Sequence, residues 1–478
     1  MIEQPASPPV GRDLFQGATD AVEAVGRIET KGIDTVSQSE RHGRPWELFP
    51  VWFTGNLTYT YLLFGGILIQ LGLSLMTALV LAVVVNLAWI LVGVMATAGP
   101  KTGTATMVVS RAQYGIRGNA LSCFFNLVIN LGYEGLNIAI ATFAASALAT
   151  FLGFPPNALG KALLVILIGA IVFTLGLYGH ATIVSVQKWL SWALGGAAIL
   201  FIVFLIPHVD WSHQGDATLT SSAMLAAILI GISVVVSGPL SYPIAADYSR
   251  YLPRETSSRA VAFFTAVGGY IPTVALTCAG ILAATAVDPS DFTTSIQEVV
   301  PGWFYPIFLL IIVFGVMSNC IYSIYSSGLA MQSMGIPLKR TRTVWIDGGI
   351  GVAIALFGVL AASDFLTVLQ NCLLWSVYWL APFFGIYLTD LAMRRGQYEV
   401  VDLFKPGGAY WFNNGFRWQG LAALGLAMFC SAMVSNTPYF QGPLSARLLA
   451  DGDLSPIVGI LVAAVSYWLF TRRTSIPL

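Results

Sequence analysis

The sequence predicts an all-α polytopic membrane protein with twelve transmembrane helices. Three observations carry this. Charged residues make up 10% of the 478-residue chain, where ordinary soluble domains carry about 25%. Apolar residues make up 56%, and mean hydropathy is +0.76. So little polar surface cannot clothe a globule of this size in water, which excludes a soluble enzyme, a nucleic-acid binder and a disordered chain. The apolar runs are also long and continuous, unlike the segments of about ten alternating residues in a β-barrel. Helices satisfy their own backbone, as lipid requires.

Residues 1–45 are polar and charged and lack the pattern of a signal peptide. They read as a cytoplasmic N-terminal tail. A span needs about 20 apolar residues. Such runs fall at roughly 47–72, 74–98, 119–149, 160–179, 181–206, 221–245, 260–286, 302–333, 343–362, 364–392, 417–435 and 454–471. The N-tail, the even-numbered connections and the C-tail hold 21 Lys and Arg, against only Lys161 and Arg447 on the other side. That asymmetry places both termini in the cytoplasm of a cell membrane. The connection after span 7, with Asp288, Asp291 and Glu298 and no basic residue, fits the outside. Cys123, Cys278, Cys320, Cys372 and Cys430 all lie in apolar runs and read as small buried residues.

Two spans are interrupted. Span 1 reads Trp52-Phe53-Thr54-Gly55-Asn56-Leu57-Thr58-Tyr59-Thr60-Tyr61, then Gly65-Gly66; span 6 reads Ser237-Gly238-Pro239-Leu240-Ser241-Tyr242-Pro243. Each proline removes a backbone donor and obstructs the preceding turn. Such stretches survive at mid-membrane only where they line a cavity or are buried in protein. The breaks lie five spans apart, so a second half would run inverted, with a site between two broken helices. Ordinary kinked helices are the plainer alternative. The expected division is 46–206 as a first five-helix repeat and 221–392 as a second, inverted one. Two additional helices follow at 417–471, then a C-terminal tail at 472–478.

Span 3 carries Asn126, Asn130, Tyr133, Glu134 and Asn137. Asn130, Tyr133 and Asn137 share a face at helical spacing. Amides beside an aromatic ring suit a flat heterocycle, although polar residues also glue helices together. Glu134 reads as the sole acid deep inside a span; site acid, proton carrier and structural partner all remain open. In span 8, Gly315, Ser318, Asn319 and Tyr322 form a stripe whose oxygens suit a hard cation or a small-residue helix interface. No HExxH, GxSxG, Walker A loop or GxGxxG occurs, so no enzyme or ATP-driven pump is expected and no cofactor beyond a coupling ion.

These residues resemble the nucleobase:cation symporter family, purine–cytosine permease branch. The resemblance runs from about residue 30 to 435. It is carried by "WELFPVWFTGN", "GPKTGTATMVVSRAQYGIRGN", "GYEGLN", "ADYSRYLPRET" and "SNCIYSIYSSGLAMQSMG". It implies the leucine-transporter type of five-plus-five inverted repeat and uptake of a nucleobase with a cation. Substrate contacts are then expected at Tyr133, Asn137, Asn130, Glu134, Gly238, Pro239, Tyr242, Tyr322 and Ser323. Tyr133 would stack on the ring and Asn137 would bond its edge. Gly238 stands where relatives often place a second aromatic, and Tyr322-Ser323 where they often have Pro-Asn. A sodium site of some relatives would map to Gly55, Thr58, Gly315, Ser318 and Asn319. The coupling ion is Na+ or, with Glu134 present and one helix-8 hydroxyl replaced by Asn319, H+. The expected partners are a small heterocycle and the lipid bilayer, with no nucleic acid and no obligatory protein. The same fold carrying allantoin, a hydantoin, a vitamin-like heterocycle or an amino-acid-like solute is the alternative, and a non-transporting sensor a third reading. Lys101 reads as part of a structural turn, and Arg250 with Asp247 as an ion pair at the inner end of span 6.

Overall fold

The computed structural model describes residues 32–178, 180–289, 292–361 and 365–472. Most of the expected N-terminal tail, the end of the C-terminal tail and Asp291 lie outside the described residues. The helices in chain order are α1 (Leu48–Gly55), α2 (Tyr59–Gln70), α3 (Leu75–Thr102), α4 (Asn119–Phe151), α5 (Ala158–Tyr178), α6 (His180–Leu205) and α7 (Ser221–Leu240). After these come α8 (Ser258–Ala284), α9 (Tyr305–Ser333), α10 (Arg340–Leu360), α11 (Phe365–Met393), α12 (Trp418–Met433) and α13 (Ser455–Thr471). Among the described residues, each segment expected to span contains helix. Among the described residues, eight helices are long and apolar enough to cross a membrane, and α2, α12 and α13 are shorter apolar helices.

Both expected breaks are present. The chain leaves helical geometry after Gly55 and resumes at Tyr59; it leaves again after Leu240 and resumes in a short helix, Ala245–Ser249. Ser74 and Thr220 cap α3 and α7 by accepting from the backbone N–H of Thr77 and Ala223, which meets orphan donors of the first turn. Glycine sets the α2–α8 crossing. A Cβ on Gly280 would lie 2.1 Å from the Leu62 carbonyl oxygen, and one on Gly65 would lie 2.3 Å from that of Thr277. Only residues without side chains allow backbones this close.

α10 begins earlier than expected, at Arg340, after Lys339 in an extended conformation. Arg340 is buried, with its guanidinium 4.8 Å from the Tyr325 ring centre. The first turn is thereby held against protein, and Asp347 sits two turns inside the helix. This corrects the sequence reading of Glu134 as the sole deep acid: Asp347 is buried too.

The connections are also more buried than their charge suggests. Arg111, Arg250, Arg394 and Arg417 are all buried. Asp390 on α11 accepts from Arg394 Nε at 2.9 Å, Tyr467 Oη at 2.7 Å and Gln113 Nε2 at 3.0 Å, tying α13 to the 111–114 turn. Asp247 accepts from the Thr106 backbone N–H at 2.7 Å and the Ser326 hydroxyl at 3.0 Å. Arg250 donates to the Gly32 carbonyl and the Tyr325 hydroxyl. Lys101 packs against Gly396 within its turn.

Candidate functional site

A small, partly open cavity lies where the two breaks meet α4 and α9. The break after Gly55 brings Thr58, Thr60, Tyr61 and Phe64 to it, and the α7 break brings Ser237, Gly238, Ser241, Tyr242 and Ile244. Asn130, Tyr133 and Asn137 line it from α4; Asn319, Tyr322 and Ser323 line it from α9. The stripe read on span 3 is therefore a cavity wall.

One side chain organises this wall. Asn319 Nδ2 donates to the Gly55 carbonyl at 2.8 Å and to Tyr242 Oη at 2.7 Å, while its Oδ1 accepts from Asn137 Nδ2 at 2.9 Å. A carbonyl only accepts, so Gly55 fixes which end of the Asn319 amide faces it. Tyr61 Oη donates to Asn56 Oδ1 at 2.8 Å, within the break itself. These bonds join the first broken helix, α4, the α7 break and α9.

Each cavity aromatic is held by a partner. Tyr133 Oη and Ser376 Oγ on α11 are 2.9 Å apart, which orients the Tyr133 ring. Tyr322 donates to the Val51 carbonyl at 2.5 Å and stacks on Trp52 with centroids 6.2 Å apart and planes at 12°. A Cβ on Gly55 would lie 2.3 Å from that Tyr322 ring, so the break needs glycine there. A Cβ on Gly238 would lie 2.6 Å from Tyr61 Cε1. Tyr61 thus fills the space that a larger residue at 238 would take.

The free hydrogen-bonding capacity is asymmetric. Asn137 spends one N–H on Asn319 and keeps a second N–H and its carbonyl oxygen. Thr58 Oγ1 is buried and has no hydrogen-bond partner. A donor and an acceptor side by side, next to an oriented ring, can bind the edge and face of a planar nitrogenous heterocycle.

Of the residues expected at a substrate site, Asn130, Tyr133, Asn137, Gly238, Tyr242, Tyr322 and Ser323 line the cavity. Glu134 and Pro239 do not. Glu134 turns to the other side of α4, where a Cβ on Gly351 of α10 would lie 3.3 Å from its Oε2. Of the five residues expected to hold a coupling ion, Thr58 and Asn319 line the cavity. Gly315 lies tight against the Leu57 carbonyl, and Ser318 donates to Gln187 Oε1 of α6 at 2.7 Å. Tyr61 and Phe64 were not expected at the site. Their place directly after the span-1 break puts them near the site but does not fix which way their rings point.

The family model described as permease for cytosine/purines, uracil, thiamine and allantoin matches residues 35–459. The chain is 29% identical, over 93% of its length and 96% of the relative's, to YxlA of Bacillus subtilis (strain 168), provisionally named a purine-cytosine permease. It is 27% identical, over 92% of its length and 87% of the relative's, to the purine-cytosine permease fcyB of Emericella nidulans. Among solved structures it superposes with a TM-score of 0.74, at 18% identity, on Mhp1, a nucleobase-cation-symport-1 family transporter in a closed conformation with bromovinylhydantoin bound. That match covers 92% of this chain and 94% of Mhp1. The inward-facing conformation of Mhp1 gives a TM-score of 0.68.

Proposed function

Because the chain belongs to the family of permeases for cytosine/purines, uracil, thiamine and allantoin, we propose that it imports a nucleobase of the cytosine or purine type by cation-coupled symport. The protein is a membrane permease and not an enzyme. In the proposed cycle the cavity opens alternately to the two sides. Twelve spans in a five-plus-five inverted repeat, with two additional helices and both termini in the cytoplasm, form its frame. Two broken helices that meet at one cavity are what such a frame would produce.

The observation that carries the substrate class is the pairing of the Tyr133 ring with the free edge of Asn137 at one cavity. Stacking holds any flat base, while the amide discriminates among edges. An amino-acid-like solute would want backbone N–H groups aimed at a carboxylate; the ring and amide favour the base.

The coupling ion is proposed to be a proton. Asn319 places a nitrogen, not an oxygen, on the Gly55 carbonyl, and the Ser318 hydroxyl is engaged by Gln187. A sodium ion, which takes oxygen ligands, would have to displace both contacts.

The test is uptake of radiolabelled cytosine, adenine, hypoxanthine, uracil, allantoin and hydantoin into a host lacking its own permeases. Accumulation of cytosine or a purine above the vector control supports the proposal. Uptake of allantoin or hydantoin alone would replace its substrate, and uptake of none would overturn it.

A further inference from the structure

On the side of α4 away from the cavity, two acids face each other inside the helix bundle. Glu134 of α4 and Asp347 of α10 are both fully buried, and Glu134 Oε2 lies against Gly351, one turn beyond Asp347 on the same face of α10. The Ser327 hydroxyl of α9 donates to Asp347 Oδ2. Neither Glu134 oxygen has a donor, and Asp347 Oδ1 has none.

The groups around the pair are few. From α9 come Ser327 and Cys320, whose Sγ donates to the Glu134 carbonyl at 3.9 Å. From α5 comes the apolar ring of Phe173, against Gly348 and Gly351. On α10 itself, Arg340 lies two turns before Asp347 and turns to the Tyr325 ring and the Gly176 carbonyl. Among the described residues no basic side chain forms an ion pair with either acid.

Two like charges this deep in the helix bundle, with no cation paired to either among the described residues, cannot both persist. A single proton removes the like-charge pair and meets Asp347 Oδ1, leaving one neutral Glu134 oxygen as the sole unmet acceptor of the three. Carried by Glu134, it is donated to Asp347 Oδ1, while Ser327 serves Oδ2. The remaining charge on Asp347 then accepts two hydrogen bonds. We propose that Glu134 and Asp347 form a proton site behind the cavity wall, with Glu134 as the proton carrier and Asp347 as its acceptor.

The same helix carries the site and the cavity. Asn130 and Asn137, one turn to either side of Glu134, line the cavity on α4. Cys320, which touches the Glu134 backbone, neighbours Asn319, which bonds Asn137. Losing the proton leaves two facing anions, which push α4 and α10 apart and move the wall that holds the base. This coupling rests on the symport reading above; the proton site does not.

Infrared spectroscopy of the full chain in lipid nanodiscs tests the site without any substrate. At neutral pH the wild type should show a protonated-carboxyl carbonyl band that Glu134→Gln removes and Asp347→Asn displaces. Identical bands in wild type and whichever variants assemble would overturn the proposal. Either variant alone decides it. A second arm measures uptake of labelled cytosine and adenine against external pH. Wild-type uptake should fall as external pH rises, because the pair loads less readily. Glu134→Gln, which keeps a donor toward Asp347 but cannot release it, should lose that dependence. Absence of base uptake with the band present sinks the import reading and leaves the site. Proton-coupled uptake with no band assigned to either acid sinks the site and leaves the import reading.

Discussion

Replacing Asn319 by alanine tests the organisation of the cavity most sharply. The side chain is the only bridge between the Gly55 carbonyl, Tyr242 and Asn137 among the bonds that line the wall, at 2.8, 2.7 and 2.9 Å. Its loss leaves the Gly55 carbonyl and one Asn137 N–H without partners. Each buried unmet group costs about 1–3 kcal/mol. Asn137 borders the cavity, so water re-pairs it at little cost, and the total settles at the share of the Gly55 carbonyl, about 1–3 kcal/mol. If binding bears that cost, Kd rises by roughly 5- to 140-fold, at 1.4 kcal/mol per decade. The assay is equilibrium binding of a labelled base to the purified variant in nanodiscs, paired with thermal melting to confirm folding. Asn319→Asp keeps the size but cannot donate to Gly55, so it should not rescue binding. A folded Asn319→Ala protein that binds as wild type would refute the claim that this amide organises the site.

Other perturbations follow from the same geometry. Tyr133→Ala should weaken base binding by about 1–3 kcal/mol, the worth of base–aromatic stacking. Tyr133→Phe should lose only the bond to Ser376; equal damage from both, measured as Kd, would make the hydroxyl the important part. Asn137→Ala should penalise bases of different edge pattern unequally, by up to about 3 kcal/mol, as read from competition binding, whereas a uniform loss would indicate packing. Asp390→Asn should lower the melting temperature, because breaking a buried ion pair costs about 3–5 kcal/mol; an unchanged melt would mean that Arg394, and Arg417 with its Nη1 3.6 Å from Asp390 Oδ1, find other partners.

Much of the frame is legible in the sequence because lipid imposes one rule on every span. Apolar length locates the helices, and the polar Gly- and Pro-containing stretches locate both breaks to within a few residues: the first helix ends at Gly55, and the second runs through Pro239 and ends at Leu240. The α4 stripe is readable for a similar reason: Asn130, Tyr133 and Asn137 fall on one helical face. Asp347 escapes because Arg340-Thr341-Arg342 looks like an aqueous flank. Only the tertiary burial of Arg340 against Tyr325 draws that turn into the bundle and carries Asp347 with it. Tyr61 escapes because its direction depends on how the chain re-enters the helix at Tyr59, which local spacing does not encode. Asn319 reads as a cation ligand from its stripe, and its bonding to Gly55 depends on the approach of two helices distant in sequence.

The central claim is proton-coupled import of a base through this cavity. Its most direct measurement is accumulation of labelled cytosine and purines in proteoliposomes under an imposed pH gradient, alkaline inside, with choline replacing sodium on both sides. The account predicts accumulation above the external concentration that a protonophore abolishes. Accumulation that requires sodium and ignores the protonophore would contradict it.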